Sequence, residues 1–226
     1  IVNLAKDYTG SNNLPLLQRN GEFGSRHAQS AAASRYIFTQ KEEYLDGLIS
    51  KLDYDSLVSQ NFEGIDIEPR YFVPVLPLII INGSEGVSTG FSQKILPRDK
   101  SVVISELNKV LKGTKKLENI KMGNPHWDGF KGTVVQDEDK PSKWYIKGDI
   151  KVENSSTILI EEVPIGYDLK KYLEVLDKLS DNGIITSYKD MSENDEFKFK
   201  VKVRREVTAK FDTDDKILEL LKLVKP

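Results

Sequence analysis

Cysteine is absent from all 226 residues, which excludes disulfides and thiolate metal sites and fits a reducing compartment. Imidazoles are scarce as well: His27 and His126 are the only two, too few for a His-rich metal centre. No run approaches the roughly 18 apolar residues of a membrane span, and nothing resembles the basic start and apolar stretch of a signal peptide. Compositional extremes are also missing. With 38% hydrophobic and 30% charged residues, the chain has an ordinary soluble globular make-up, long enough to bury a core in one large or, as we expect, two modest domains. No methionine opens it; Ile1-Val2-Asn3-Leu4-Ala5 reads as the last turns of a helix already under way, and so as part of an excised piece.

Charge is nearly balanced at −2 but unevenly spread. Residues 1–41 hold five Lys/Arg against two Asp/Glu, and residues 90–122 hold eight against three, so these windows carry +3 and +5 and the remainder −10. One face could therefore attract a polyanion while the rest keeps the protein in solution. Ordinary helix and loop charge is the competing reading.

Turn formers at Gly10-Ser11-Asn12-Asn13 and Asn20-Gly21 flank the apolar run Leu14-Pro15-Leu16-Leu17, a pattern that suggests a hairpin-like wing turning near Asn20-Gly21. Residues 28–33 are small and helix-favouring, and Arg35-Tyr36-Ile37-Phe38-Thr39 reads as a short extended piece. Tyr44, Leu45, Leu48 and Ile49 predict a helix near 41–51. The Pro-punctuated apolar run 72–82 is expected to be buried and to end in a Gly-rich loop at 83–90. Asp99 is placed to cap a helix carrying Val103, Leu107, Val110 and Leu111, closed by Gly113. From about residue 125 the character shifts to strands at 130–135, 144–152 and 157–163. A helix on Leu169, Tyr172, Leu173, Leu176 and Leu179 follows, stopped by Asn182-Gly183, then strands at 184–189 and 196–203. The domain boundary is placed near residue 124.

Ser34-Arg35-Tyr36 can be read as a nucleophile beside a fixed cation. A phenol, with a pKa of about 10, attacks poorly at neutral pH unless positive charge favours the phenolate or the transition state. A guanidinium keeps its proton, and its fork suits a phosphate. Taken locally, however, a Tyr-Ile-Phe triplet is far more often packing than catalysis. The acidic pairs Asp53-Tyr54-Asp55 and Asp212-Thr213-Asp214 read as caps rather than metal ligands. The loop at 83–90 lacks the Gly-Lys-Ser/Thr ending of a nucleotide-binding loop. His27 reads as incidental surface or DNA-facing, and His126 as a turn residue.

A wider pattern changes the weight of Tyr36. Gly10-Ser11-Asn12-Asn13, then Asn20-Gly21-Glu22-Phe23-Gly24-Ser25-Arg26, then Ala31-Ala32-Ala33-Ser34-Arg35-Tyr36-Ile37-Phe38-Thr39 closely resemble the segment around the active-site tyrosine of type IIA DNA topoisomerases. Glu68-Pro69-Arg70-Tyr71-Phe72-Val73-Pro74-Val75-Leu76-Pro77 and Asn82-Gly83-Ser84-Glu85-Gly86-Val87-Ser88-Thr89-Gly90 resemble the next two blocks, in the right order. Looser similarity continues through Trp127-Asp128-Gly129-Phe130 and Ile160-Glu161-Glu162-Val163-Pro164. Within the family, the wording is most similar to the T-even-type phage enzymes, in which cleavage and ATP binding sit on separate polypeptides.

That resemblance implies an α+β chain: a winged-helix domain over 1–124, lacking its N-terminal part, followed by a mixed α/β tower domain over 125–226, lacking the C-terminal coiled coil. Tyr36 would attack a phosphodiester and form a transient 5′-phosphotyrosyl link, with Arg35 stabilising charge on the phosphoryl oxygens. Arg26, Val87 and Lys94 are the implied DNA-contacting residues. Arg26 would hold a phosphate or, alternatively, form a structural salt bridge. Val87 stands where the family usually has an isoleucine wedged between base pairs, the alternative being a residue packed under the loop. The resemblance further implies double-stranded DNA, a homodimer in the full-length protein, Mg²⁺ from a partner domain or subunit, and a large ATPase subunit that uses ATP. The expected location is the cytoplasm, the host's if phage-encoded. No metal site is expected on this chain, and the piece alone is expected to cleave poorly. Two other readings stay open: a noncatalytic winged-helix DNA-binding module with Tyr36 in its core, and an interaction scaffold without DNA affinity. Exposure of Tyr36 separates the first of these from the enzyme.

Overall fold

A computed structural model describes residues 1–204 and 213–226, so the sequence reading at Asp212 lies outside the described residues. The fold is mixed α and β with small antiparallel sheets. Two compact units share the chain: residues 1–7, 12–21 and 33–123 form the first, and residues 8–11, 22–32 and 124–226 the second. The chain therefore crosses between them several times before residue 124. Among the described residues no helix is long and apolar enough to cross a membrane.

The first unit contains α1 (Val2–Ala5), β1 (Leu17–Asn20), β2 (Phe38–Lys41), α2 (Leu45–Leu48), β3 (Ser59–Phe62), β4 (Ile65–Pro69), α3 (Leu78–Ile81), β5 (Ser84–Ser88), β6 (Phe91–Ile95) and α4 (Lys100–Leu111). Its strands pair two by two: β1 with β2, β3 with β4, β5 with β6. The expected tight turn at Asn20-Gly21 does not form, because β1 pairs with the distant β2, Leu17 opposite Lys41 and Asn20 opposite Phe38. Gly21 instead adopts φ +108° where the chain leaves β1, and a Cβ there would sit 3.1 Å from the Tyr36 carbonyl oxygen. The helix expected at 41–51 shrinks to the single turn α2.

Two asparagine amides fasten the start of this unit. Asn13, buried, donates through Nδ2 to the carbonyls of Ile81 (3.0 Å) and Arg98 (3.2 Å). The Asn82 amide bonds both backbone groups of Leu14, at 2.7 and 2.9 Å. Side-chain amides thus replace a strand ladder for backbone groups that cannot be left unpaired. The run 72–82 is only partly buried: Ile81 is fully enclosed, whereas Phe72, Val73, Val75 and Ile79 are exposed. With two prolines in it, the run yields just the one turn α3, so few of its side chains share an inward face. The segment 83–90, expected as a loop, is the first strand and turn of the β5–β6 hairpin.

Asp99 caps α4 as expected, accepting from the Ser101 N–H at 2.7 Å. On the buried face of α4, one turn after Val103, Glu106 accepts from Lys109 Nζ (2.7 Å), Lys115 Nζ and the Lys121 N–H (3.1 Å). Lys109 first, then Lys115 and the Lys121 amide, hold this carboxyl down to about 2.

The second unit contains β7 (Thr133–Gln136), β8 (Trp144–Lys147), β9 (Asp149–Asn154), β10 (Thr157–Glu162), α5 (Leu169–Asp181), β11 (Ile185–Asp190), β12 (Phe199–Val203), α6 (Asp214–Leu220) and β13 (Val224–Lys225). One sheet runs β11-β12-β10-β9 and a second β13-β8-β7. The strand expected over 144–152 is split at Gly148. Its N–H is taken by the Leu223 carbonyl at 2.8 Å, and any Cβ there would stand 2.5 Å from the Glu162 carbonyl oxygen. β8 and β9 consequently belong to different sheets.

Tyr172, Leu176 and Leu179 recur at spacings of four and three on α5, and pack with Ile158, Ile160, Phe199 and Val201 of the larger sheet and with Leu218 and Leu221. Each such burial contributes about 1.5–3 kcal/mol. The buried Tyr172 hydroxyl donates to the Leu221 carbonyl at 3.1 Å. Residues 28–33, helix-favouring by composition, form no helix. Their backbone is committed elsewhere: the Ala28 carbonyl accepts from the Ser25 N–H, and the Ala32 N–H donates to the Glu22 carbonyl. Tertiary bonding here overrides a weak propensity.

Candidate active site

Tyr36 lies in a single 3₁₀ turn, Ser34–Tyr36, not in the extended piece expected from its neighbours. Its N–H donates to the Ala33 carbonyl at 2.9 Å. Ile37 follows, extended and buried, and anchors the turn to the first unit before β2 begins. The difference matters chemically. Successive residues of a strand point to opposite faces, which would separate Arg35 from Tyr36. The turn instead sets the Arg35 guanidinium carbon 4.8 Å from the centroid of the Tyr36 ring, within cation–π range.

The Tyr36 side chain is open to solvent, at 64% relative exposure. Among the described residues neither its hydroxyl nor the Arg35 guanidinium engages a hydrogen bond or ion pair. A tyrosine that served only as core would be buried, so its surroundings run against that alternative.

Val87 stands 85% exposed on the β5–β6 hairpin, so it is not packed under a loop. Val87 faces Ser92 and Glu85 faces Lys94 in the register; positions two apart share a face, and Val87 and Lys94 therefore lie on the same one. Phe91, opposite Ser88 and 81% exposed, presents an aromatic ring on the other face of this hairpin. Sequence reading overlooked it, although an aromatic directly after the Thr89-Gly90 turn was a signal that could have been used.

Arg26 is corrected by the structure. Instead of offering its guanidinium to solvent and a DNA phosphate, it is 3% exposed within the second unit. Nη1 donates to the Tyr167 carbonyl at 2.7 Å, and Nη2 to the Val163 carbonyl at 2.8 Å and to Glu162 Oε1 at 3.3 Å. Its guanidinium carbon lies 4.8 Å from the Phe197 ring centroid. Burial lowers the Arg26 pKa, and Glu162 opposes that shift. The structural salt bridge, the alternative left open above, is the arrangement found. His27 is likewise no surface residue, with its ring 4.8 Å from that of Phe197. Glu162, Asp195 and Phe197 hold this segment, and nothing local in the sequence pairs them with Arg26. His126 sits 3.0 Å from Asp128.

Among the described residues no group of three or more His, Asp or Glu side chains converges where a metal ion could be held. The described residues around Tyr36 thus offer no ligand set for Mg²⁺.

The model of a family described as the A-type subunit of DNA gyrase/topoisomerase IV matches residues 1–225. The chain belongs to this family of type II DNA topoisomerases. Human DNA topoisomerase 2-alpha is 33% identical over 217 residues, which are 92% of this chain and 14% of that protein. The DNA topoisomerase medium subunit of enterobacteria phage T4 is 34% identical over 215 residues, 95% of this chain and 46% of the relative. A solved structure described as the Plasmodium falciparum topoisomerase II DNA-binding, cleavage and re-ligation domain superposes with a TM-score of 0.86 at 28% identity, covering 99% of this chain and 30% of that one. The topoisomerase chain described here thus spans less than half the length of these relatives.

Proposed function

We propose that this chain is the DNA-cleaving and rejoining core of a type II DNA topoisomerase, with Tyr36 as nucleophile. The observation that carries the reading is the exposed Tyr36 with the Arg35 guanidinium folded over its ring on one short turn. The phenol oxygen attacks a backbone phosphorus, the bond from phosphorus to the 3′ oxygen breaks, and the 3′ oxygen takes up a proton as the phenol loses one. The product is a 5′-phosphotyrosyl link and a 3′-hydroxyl. One phosphoester replaces another, so resealing reverses the step without ATP. Arg35 would stabilise charge on the non-bridging oxygens as the phosphoryl group moves.

The first unit would correspond to the winged-helix domain and the second to the tower domain. Val87 would wedge between base pairs, one methylene shorter than isoleucine and so with weaker bending, and Lys94 on the same hairpin face would meet a phosphate. Double-stranded DNA is the substrate, and the full-length protein would act as a homodimer in the cytoplasm, that of the host if phage-encoded. Because no acidic cluster accompanies Tyr36 among the described residues, no step is assigned to a metal held by them. Mg²⁺ and ATP would be handled by a partner domain or subunit.

The test is to assemble the full-length protein with its ATPase partner, supply Mg²⁺ and DNA, and trap covalent adduct with detergent. Adduct is expected for the parent and none for Tyr36→Phe. Persistence of adduct in that variant would falsify the assignment.

A further inference from the structure

The β5–β6 hairpin of the first unit is bare on both faces. Every residue from 85 to 94 is exposed, so among the described residues no core receives the side chains of its tip. Val87 projects from one face and Phe91 from the other, both within two rungs of the Thr89-Gly90 turn, since Ser88 pairs with Phe91 and Val87 with Ser92. A single exposed apolar side chain is ordinary on a protein surface. Two at one tip, aimed in opposite directions, ask for something outside the chain to receive them.

The two faces differ in chemistry. Beside Val87 stand charges, Glu85 opposite Lys94. Beside Phe91 there are none: its neighbours on that face are Ser88, Gly86 and Gln93, and Gln93 is turned to Ser84, Nε2 donating to Oγ at 3.1 Å. Gly86 lies diagonally across the ladder from Phe91, and a Cβ there would meet nothing within 4 Å. The ring therefore stands off an uncharged ribbon, with a slot beside it that no side chain fills. A flat apolar group fits such a place, whereas a charged protein patch would find no counter-charge. Nucleic-acid bases are flat, and aromatic rings stack on all of them; phenylalanine is also among the side chains that wedge between base steps.

We propose that Phe91 is a second DNA-contacting residue, its ring stacking at a base step separate from the one that Val87 opens. Side chains on opposite faces of a ribbon point apart, so the two do not share a step. The hairpin then deforms the duplex at two places, and Phe91 makes up for part of the methylene that Val87 lacks. It also adds selectivity, favouring pyrimidine–purine steps at its position because these unstack most easily. This inference rests on reading the hairpin as the DNA wedge, and the experiment separates the two.

The full-length protein and its ATPase partner are bound, without Mg²⁺ so that no strand is cut, to duplexes carrying 2-aminopurine at one position at a time around a mapped cleavage site. The fluorescence of this base rises where it is unstacked. For the parent, two separate positions are expected to brighten. Phe91→Ala should darken one and keep the other, Val87→Ala should do the reverse, and Phe91→Leu, which keeps an apolar wedge, should retain part of the signal. DNA affinity should fall about tenfold in Phe91→Ala, with the salt slope unchanged because no phosphate contact is lost.

One bright position in the parent, or the same profile in Phe91→Ala as in the parent, overturns the role of Phe91. So does a shallower salt slope in that variant. If Phe91→Ala darkens both positions, Phe91→Leu decides: survival of the Val87-dependent position supports a separate step, and loss of both overturns it. An unchanged profile in Val87→Ala overturns the wedge reading of Val87 instead, while Phe91 is still judged by its own position. Tyr36→Phe should show both bright positions, since its defect lies after binding.

Discussion

The pairing of Arg35 with Tyr36 depends on backbone shape more than on residue type. The guanidinium lies over the phenol ring because a 3₁₀ turn, not a strand, carries both. Arg35→Ala should slow adduct formation by about 10²–10³, the range for removing one transition-state charge stabiliser. Arg35→Lys should recover only part of this, because an ammonium lacks the planar fork. Single-turnover adduct yield against time measures both, and a rate within twofold of the parent in Arg35→Ala would count against the role. At this scale the sequence speaks through its context: a Tyr-Ile-Phe triplet says little, and it is the ordered blocks around it on which the proposal for Tyr36 rests. Arg26 was not legible. Its carboxylate partner lies 136 residues away, and sequence cannot distinguish a guanidinium bound for solvent from one bound for a distant carbonyl.

Elements with strong periodicity were readable, and those shaped by remote bonding were not. α5 declares itself by apolar residues every three or four positions, and Asp99 announces the start of α4. The segment 28–33 is tied to Glu22 ten residues before Ala32, and the Tyr36 turn rests on one short Tyr36-to-Ala33 bond that no apolar period announces. Glu106 offers a test at this level. Its carboxyl is depressed in the folded chain, so its contribution to stability is complete above its ordinary value of about 4.3 and is lost as pH falls toward 2. Glu106→Gln should lower the urea midpoint at neutral pH, and the difference from the parent should shrink between pH 5 and pH 2. Denaturation curves across that range check it; a difference independent of pH would contradict the linkage.

Over the whole molecule, a net charge of −2 conceals basic windows of +3 and +5. Lys94 and the exposed Arg35 come from these windows; Arg26, also within one, is internally paired and should add nothing to phosphate binding. DNA affinity of the full-length protein should therefore fall steeply with salt, by about 10³ between 50 and 200 mM if some six phosphates are contacted. Arg26→Gln should leave that slope unchanged while Lys94→Gln makes it shallower by about one. Filter binding over a salt series reads both. The change to strand character from about residue 125 is a feature of the sequence, whereas the membership of residues 8–11 and 22–32 in the second unit is not, because composition does not record which unit a short segment joins.

That interleaving bears on how such chains can be recombined. A chimera joined at residue 124 from two family members would bring Arg26 from one parent and Glu162, Asp195 and Phe197 from the other. Residues 22–32 and 162–197 therefore have to be exchanged as one block, although more than a hundred positions lie between them.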